Sequence, residues 1–282
     1  MSIRKRRQRF RHNSGLFKII KMISLKQKFS SLKKRGRKAF IAYIPFGFPN
    51  IKSTKAICLA LEESGVDVIE LGIPFSDPLA DGPIIQKATS WALKKGANIE
   101  NLFKTLKALT KAINIPLVIM TYYNPILNFG LDKFLKKIKQ LGVSAITIVD
   151  LPLEEAKEYI NKAKKLNLET VFFVTPTTSL ARTKRIAKVS KGFIYYISVT
   201  GITGPKDFSY KSLAQGLKAI KKVTKLPVCV GFGIHNRSQV LKVSALSDGV
   251  IVGSSLVEFI ANNHSKKNFL KALKTYTRSL LS

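Results

Sequence analysis

The chain alternates eight short apolar runs with longer amphipathic stretches, and this recurrence constrains its fold more than any other feature. The runs are AFIAYIPF (39–46), VDVIELGI (66–73), PLVIMTYY (116–123), SAITIVDL (144–151), ETVFFVT (169–175), FIYYIS (193–198), PVCVGFG (227–233) and DGVIVGS (248–254). They are rich in Val, Ile, Phe and Tyr and nearly continuous, the pattern of strands covered on both faces. Between them, stretches such as STKAICLALEES, NLFKTLKALTKAI, LEEAKEYINKAKKL, SLARTKRIAKV and YKSLAQGLKAIKKV place apolar residues at helical spacing. Start signals accompany some of them: Ser53 ahead of the first, and Glu154 and Glu155 in the first turn of the third. Eight strands, each followed by helix, predict an α/β fold, the (β/α)8 TIM barrel. A doubly wound open sheet is the alternative; against it, eight regular units fill the chain and no GxGxxG follows the first run.

A length of 282 residues suits one such barrel as a single domain, and 45% hydrophobic residues supply a sizeable core. No run approaches the roughly 18 consecutive apolar residues of a membrane span. Cys58 and Cys229 sit in apolar surroundings and read as core thiols of a reducing compartment. The formal charge of +33 allows two readings. One is a nucleic-acid or anionic-membrane surface. The other is lysines on solvated helix faces, as in KFLKKIKQL (133–141), where Phe134, Leu135, Ile138 and Leu141 form the opposite stripe. The second is preferred and no nucleic-acid partner is expected, because no recognised basic module is present. The segment 1–22, Arg-rich and acid-free, is set apart as a flexible basic N-terminal extension or targeting segment, with Met22 an alternative start. The barrel domain then spans 23–282.

Chemistry in such a barrel belongs at the C-terminal strand ends. In VIELGI, alternation puts Val68, Glu70 and Gly72 on one face and Ile69, Leu71 and Ile73 on the other. The wholly apolar set suits the helices, so Glu70 is predicted to face the barrel interior. Burial there favours a neutral carboxyl that exchanges a proton near neutral pH; a structural Glu with a buried partner is the competing reading. The loop DPLADGP adds Asp77 and Asp81, ordinary turn-formers unless Asp81 faces the same cavity. Glycines recur at three late strand ends, in SVTGITG (198–204), GFGI (231–234) and VGSS (252–255), where backbone N–H groups and a helix start near Ser254 suit a phosphate. None of His12, His235 or His264 has metal-ligand spacing to a cysteine or acid, so no metal is expected. Metal-free proton transfer on a small phosphorylated substrate remains.

The run ELGIPFSDPLADGPIIQ resembles the signature of the tryptophan synthase α subunit family, and TYYNPIL, IVDLPLEE, YYISVTGITG, VGFGI and VGSS continue it in order over about residues 24–280. The resemblance implies a (β/α)8 barrel that cleaves indole-3-glycerol phosphate to indole and glyceraldehyde 3-phosphate with no cofactor in this chain. It implies Glu70 as proton carrier at indole C3 and Asp81 as partner of the indole N–H. Tyr122 and Tyr195 would line the pocket, Thr203 would position the Asp81 loop, and Gly204, Gly233, Gly253 and Ser254 would hold phosphate. It further implies a pyridoxal-phosphate β subunit as partner in an α2β2 tetramer, near Asp77, Pro78, Asn124 and Pro152. YIPFGFPN departs from the commoner family form, which has a small residue before the glycine, and the basic tail has no counterpart in the family core. Lys-, Ile- and Asn-rich usage resembles that of an AT-rich genome, which favours a plastid stroma, with a bacterial cytoplasm as the alternative.

Overall fold

Strands buried on both faces need helices outside and a filled interior, and both are present. The computed structural model describes residues 23–197, 209–231 and 233–281. In chain order the elements begin α1 (Leu25–Lys34), β1 (Ala39–Pro45), α2 (Ile51–Glu63), β2 (Val68–Gly72), α3 (Pro83–Lys94), α4 (Ile99–Leu109) and β3 (Leu117–Thr121). They continue with α5 (Tyr123–Phe129), α6 (Leu131–Gln140), β4 (Ala145–Ile148), α7 (Lys157–Lys165), β5 (Glu169–Val174), α8 (Leu180–Val189) and β6 (Ile194–Ile197). The last are α9 (Tyr210–Val223), β7 (Val228–Gly231), α10 (Arg237–Leu246), β8 (Gly249–Val252), α11 (Ser254–Asn263) and α12 (Phe269–Leu281). The eight strands close in order as a parallel barrel, β1 pairing with both β2 and β8. The (β/α)8 architecture is therefore as expected, and each strand lies within one of the eight apolar runs.

Two helix starts differ from the sequence reading. Asn50, not Ser53, caps α2: its side chain accepts from the Ser53 N–H at 2.9 Å. Asn and Ser are equivalent caps by type, and only the backbone geometry decides between them. Glu154 and Glu155 lie in the turns before α7 and not in its first turn. Glu154 instead takes a two-pronged contact from Arg182, at 2.7 and 2.8 Å, tying that turn to α8.

The strand register sorts the interior into layers, since tilted strands contribute side chains from alternate strands to each level. Glu70, Thr147, Tyr195 and Ile251 share the middle level, on β2, β4, β6 and β8. Above them stand Tyr43, Met120, Phe173 and Gly231, and below them Ile41, Val118, Val171 and Cys229. Ring contacts agree with this stacking: Phe173 and Tyr195 centroids are 4.8 Å apart. Both cysteines are buried free thiols.

Helix α1 closes the lower end. Leu25, Phe29 and Leu32 join the interior cluster, with Phe29 and Phe193 rings 5.8 Å apart. Glu169, at the start of β5, accepts from the Leu25 N–H at 2.7 Å and the Lys26 N–H at 3.2 Å. A carboxylate there answers the unpaired donors and positive pole of the helix start. Asp67 accepts from the Phe40 N–H at 3.1 Å and faces Lys28 at 3.9 Å, so α1 is also tied to the β1–β2 edge. Helix α1 thereby covers the lower layer of the interior from below. Among the described residues, no helix is long and apolar enough to cross a membrane.

Candidate active site

Glu70 projects into the barrel from β2, as the alternation predicts, while Ile69, Leu71 and Ile73 pack in the outer core. Its side chain is 0% exposed, and neither carboxylate oxygen has a hydrogen-bond partner among the described residues. The structural reading of Glu70 required such a partner. Burial pushes its carboxyl up to about 8, and the nearby Asp81 adds to the rise.

Asp81 comes from the loop between β2 and α3, whose turn closes through the Asp81 N–H to the Pro78 carbonyl at 3.0 Å. It is buried beneath the mouth, with Gln86 donating to its backbone carbonyl at 2.9 Å. Burial raises its carboxyl to about 6, with a hydrogen bond from the Tyr122 hydroxyl pulling the other way. That hydroxyl also accepts from the Ala80 N–H at 3.0 Å, so Tyr122, just after β3, fixes the loop that carries Asp81. At pH 7 the two acids therefore differ in state: Glu70 is mostly protonated and Asp81 mostly ionised. Acids whose values are driven apart in this way divide donor and acceptor roles between them.

Above Glu70 lies a cavity of about 100 Å³ bordered by Tyr43, Asp81, Tyr195, Gly233, Gly253 and Ser254. Two glycines make room for the tyrosines. A Cβ on Gly72 would fall 2.3 Å from the Tyr43 hydroxyl, and one on Gly231 would fall 2.6 Å from that of Tyr195. On one side the cavity reaches the start of α11, where no side chain caps the helix from Gly253. The first-turn N–H groups have no acceptor within the helix and suit an anion. Gly233, at φ +75°, lies beside this spot. Thr203 and Gly204 fall outside the described residues. Among the described residues, no three His, Cys, Asp or Glu side chains gather to hold a metal ion. A broader hollow of about 660 Å³ runs along α1 at the opposite end, lined by serines, a glutamine and basic side chains, with neither acid nearby.

Around the mouth, Asp77, Asn124 and Pro152 are exposed and Pro78 is half-buried, on the loop after β2, the start of α5 and the turn after β4. Leu79 and Leu127 stand among them at 79% and 57% exposure. Sequence reasoning passed over two interior residues, Tyr43 and Thr147. The period of two gave the available signal, since Tyr43 shares a face with Ile41, and Thr147 one with Ala145.

Comparison with known proteins agrees with this geometry. The family described as tryptophan synthase alpha chain matches residues 29–281. The tryptophan synthase alpha chain of Thermoanaerobacter sp. (strain X514) is 42% identical over 259 residues, covering 92% of this chain and 98% of the relative. That of Arabidopsis thaliana is 40% identical over 261 residues, covering 92% of this chain and 95% of the relative. Among solved structures, tryptophan synthase subunit alpha from Legionella pneumophila str. Paris has a TM-score of 0.85 at 32% identity, covering 91% of this chain and 96% of that one. With the match running over nearly the whole barrel, the chain belongs to the tryptophan synthase alpha chain family.

Proposed function

We propose that this chain is a carbon–carbon lyase of tryptophan biosynthesis that cleaves indole-3-glycerol phosphate to indole and D-glyceraldehyde 3-phosphate. The observation that carries the proposal is the acid pair: a buried Glu70, without a hydrogen-bond partner among the described residues and raised to about 8, beside an Asp81 raised only to about 6. Protonated Glu70 gives its proton to indole C3, and the ring nitrogen takes up the positive charge. Ionised Asp81 accepts the ring N–H and stabilises that charge, stronger in a buried site than in water. Glu70, now a carboxylate, removes the proton from the hydroxyl on the carbon attached to C3. The C–C bond breaks, its electrons return to the ring, and an aldehyde forms on the departing phosphate ester. Each proton moved is returned, so no metal or organic cofactor is needed in this chain.

Tyr122 and Tyr195 bound the indole pocket, Gly204, Gly233, Gly253 and Ser254 hold the phosphate through backbone N–H groups, and Thr203 positions the Asp81 loop. A tryptophan synthase β subunit carrying pyridoxal phosphate docks at the mouth, on Asp77, Pro78, Asn124 and Pro152, and consumes the indole within an α2β2 tetramer. The exposed Leu79 and Leu127 support that surface, because apolar side chains among polar neighbours favour a partner over water. The Lys-, Ile- and Asn-rich residue usage, like that of an AT-rich genome, supports the plastid stroma as the compartment, and relatives from bacteria and from Arabidopsis thaliana are compatible with that or with a bacterial cytoplasm. Residues 1–22 form a basic extension ahead of the 23–282 barrel.

The test is indole release from indole-3-glycerol phosphate, with and without a β subunit. Wild type turns over, Glu70→Gln loses at least the roughly 10²–10⁴-fold typical of a general acid–base group, and Asp81→Asn falls strongly. A folded wild type that releases no indole even with a competent β subunit refutes the proposal and leaves a phosphate-binding barrel serving only as a partner.

A further inference from the structure

Three buried polar atoms lie at one level of the barrel without a hydrogen-bond partner among the described residues: both Glu70 carboxylate oxygens and the Thr147 hydroxyl. The strand register makes Glu70 and Thr147 neighbours around the middle layer, on β2 and β4, since β3 between them contributes only to the layers above and below. Both side chains are 0% exposed. The hydroxyl has no packing reason to be there, because valine fills the same volume and barrel interiors favour such branched apolar residues. It also has no backbone role. Buried threonines on other strands are satisfied locally: Thr121 donates to the Tyr122 carbonyl and Thr170 to the Val189 carbonyl, each at 2.9 Å.

Buried polar groups are almost always paired, by protein or by an ordered water. A buried water needs two to four polar partners, and this level of the barrel offers three such atoms. We propose that Thr147 is a positioning residue for Glu70: its hydroxyl and the Glu70 oxygens together hold one water inside the barrel. Thr147 touches no substrate; the water links it to the carboxyl and keeps that group aimed at the cavity above through both of its proton transfers. The titratable groups facing Glu70 are Tyr43 on β1, Asp81 on the following loop, Tyr195 on β6 and Cys229 on β7. All carry zero or negative charge, so a neutral donor such as this water is the group that steadies the ionised Glu70.

The inference rests on Glu70 as the proton carrier of the proposed cleavage, and two variants with one structure test it. Thr147→Val is isosteric and removes only the hydroxyl, so it folds and melts at or above the wild-type temperature. Its kcat falls about tenfold, short of the roughly 10²–10⁴ carried by the acid itself, with KM little changed. The alkaline limb of its pH profile moves upward, because the ionised carboxylate has lost a donor. Thr147→Ser keeps the hydroxyl and stays within about twofold of wild type. A high-resolution crystal structure of the wild type shows a water bridging Thr147 and Glu70. The inference is overturned if that structure has no such water, if Thr147→Val keeps the wild-type rate and pH profile, or if Thr147→Ser falls as far as Thr147→Val. An inactive wild type whose structure does hold the water refutes the lyase reading and leaves the water site standing.

Discussion

A carboxyl taken out of water without a partner keeps its proton, and Glu70 does so where the proposed chemistry needs an acid. The same displacement has a thermodynamic sign. Between the ordinary value of 4.5 and about 8, folded Glu70 holds a proton that the unfolded chain has released. Folding is therefore progressively disfavoured by this group as pH rises through that window, and the loss is complete above about 8. Glu70→Gln removes the effect, so its melting temperature should exceed that of wild type most at pH 8.5 and converge on it near pH 5. Thermal melts across that range check this; an advantage that grows toward acid pH would contradict it. The direction in which Glu70 points was legible from alternation alone. That Tyr122 both fixes and bonds the Asp81 loop was not, because the two residues are 41 positions apart and meet only when the barrel closes.

At the scale of elements, the eight strands were legible because they are largely buried on both faces and so read as nearly continuous apolar runs. The helix starts were less so: Asn50 and Ser53 are both good caps, and Glu154 is drawn out of a helical role by Arg182. The role of α1 as a floor was hidden as well, since nothing in LKQKFSSLKK distinguishes a helix that plugs a barrel from one that packs outside it. Leu25 is wholly buried there, against Gly192, where an added Cβ would come within 2.3 Å of its Cδ1. Leu25→Ala should lower stability by about 2–5 kcal/mol, read by denaturant unfolding, while KM for the phosphorylated substrate stays unchanged. A changed KM at unchanged stability would mean that the floor reaches the site. Near the mouth the opposite holds. Gly72→Ala must displace the Tyr43 ring from the cavity, so it should raise KM by about tenfold while the barrel stays folded, with circular dichroism as the control.

For the molecule as a whole, 49 basic residues against 16 acidic ones decide how it responds to salt. Described surface pairs such as Lys274–Glu63 and Lys162–Glu158 lie in solvent, contribute little and weaken with salt. Repulsion among the excess cations acts over the whole surface and is screened by the same salt, as the Debye length falls from roughly 30 Å at 0.01 M to about 8 Å at 0.15 M. Repulsion wins, so the melting temperature should rise by a few degrees, on the order of 1 kcal/mol, between those concentrations. A fall would mean that the ion pairs matter more than the imbalance. The floor helix also sets a timetable. α1 is the first of the described elements to be synthesised, yet the carboxylate at its start lies 144 residues downstream. At roughly 5–20 residues per second, the ribosome needs on the order of ten seconds to supply that anchor. Through that interval Leu25, Phe29 and Leu32 lack Val171 and Phe193 of the cluster that finally covers them, and this nascent stretch is where a chaperone would find its first handhold.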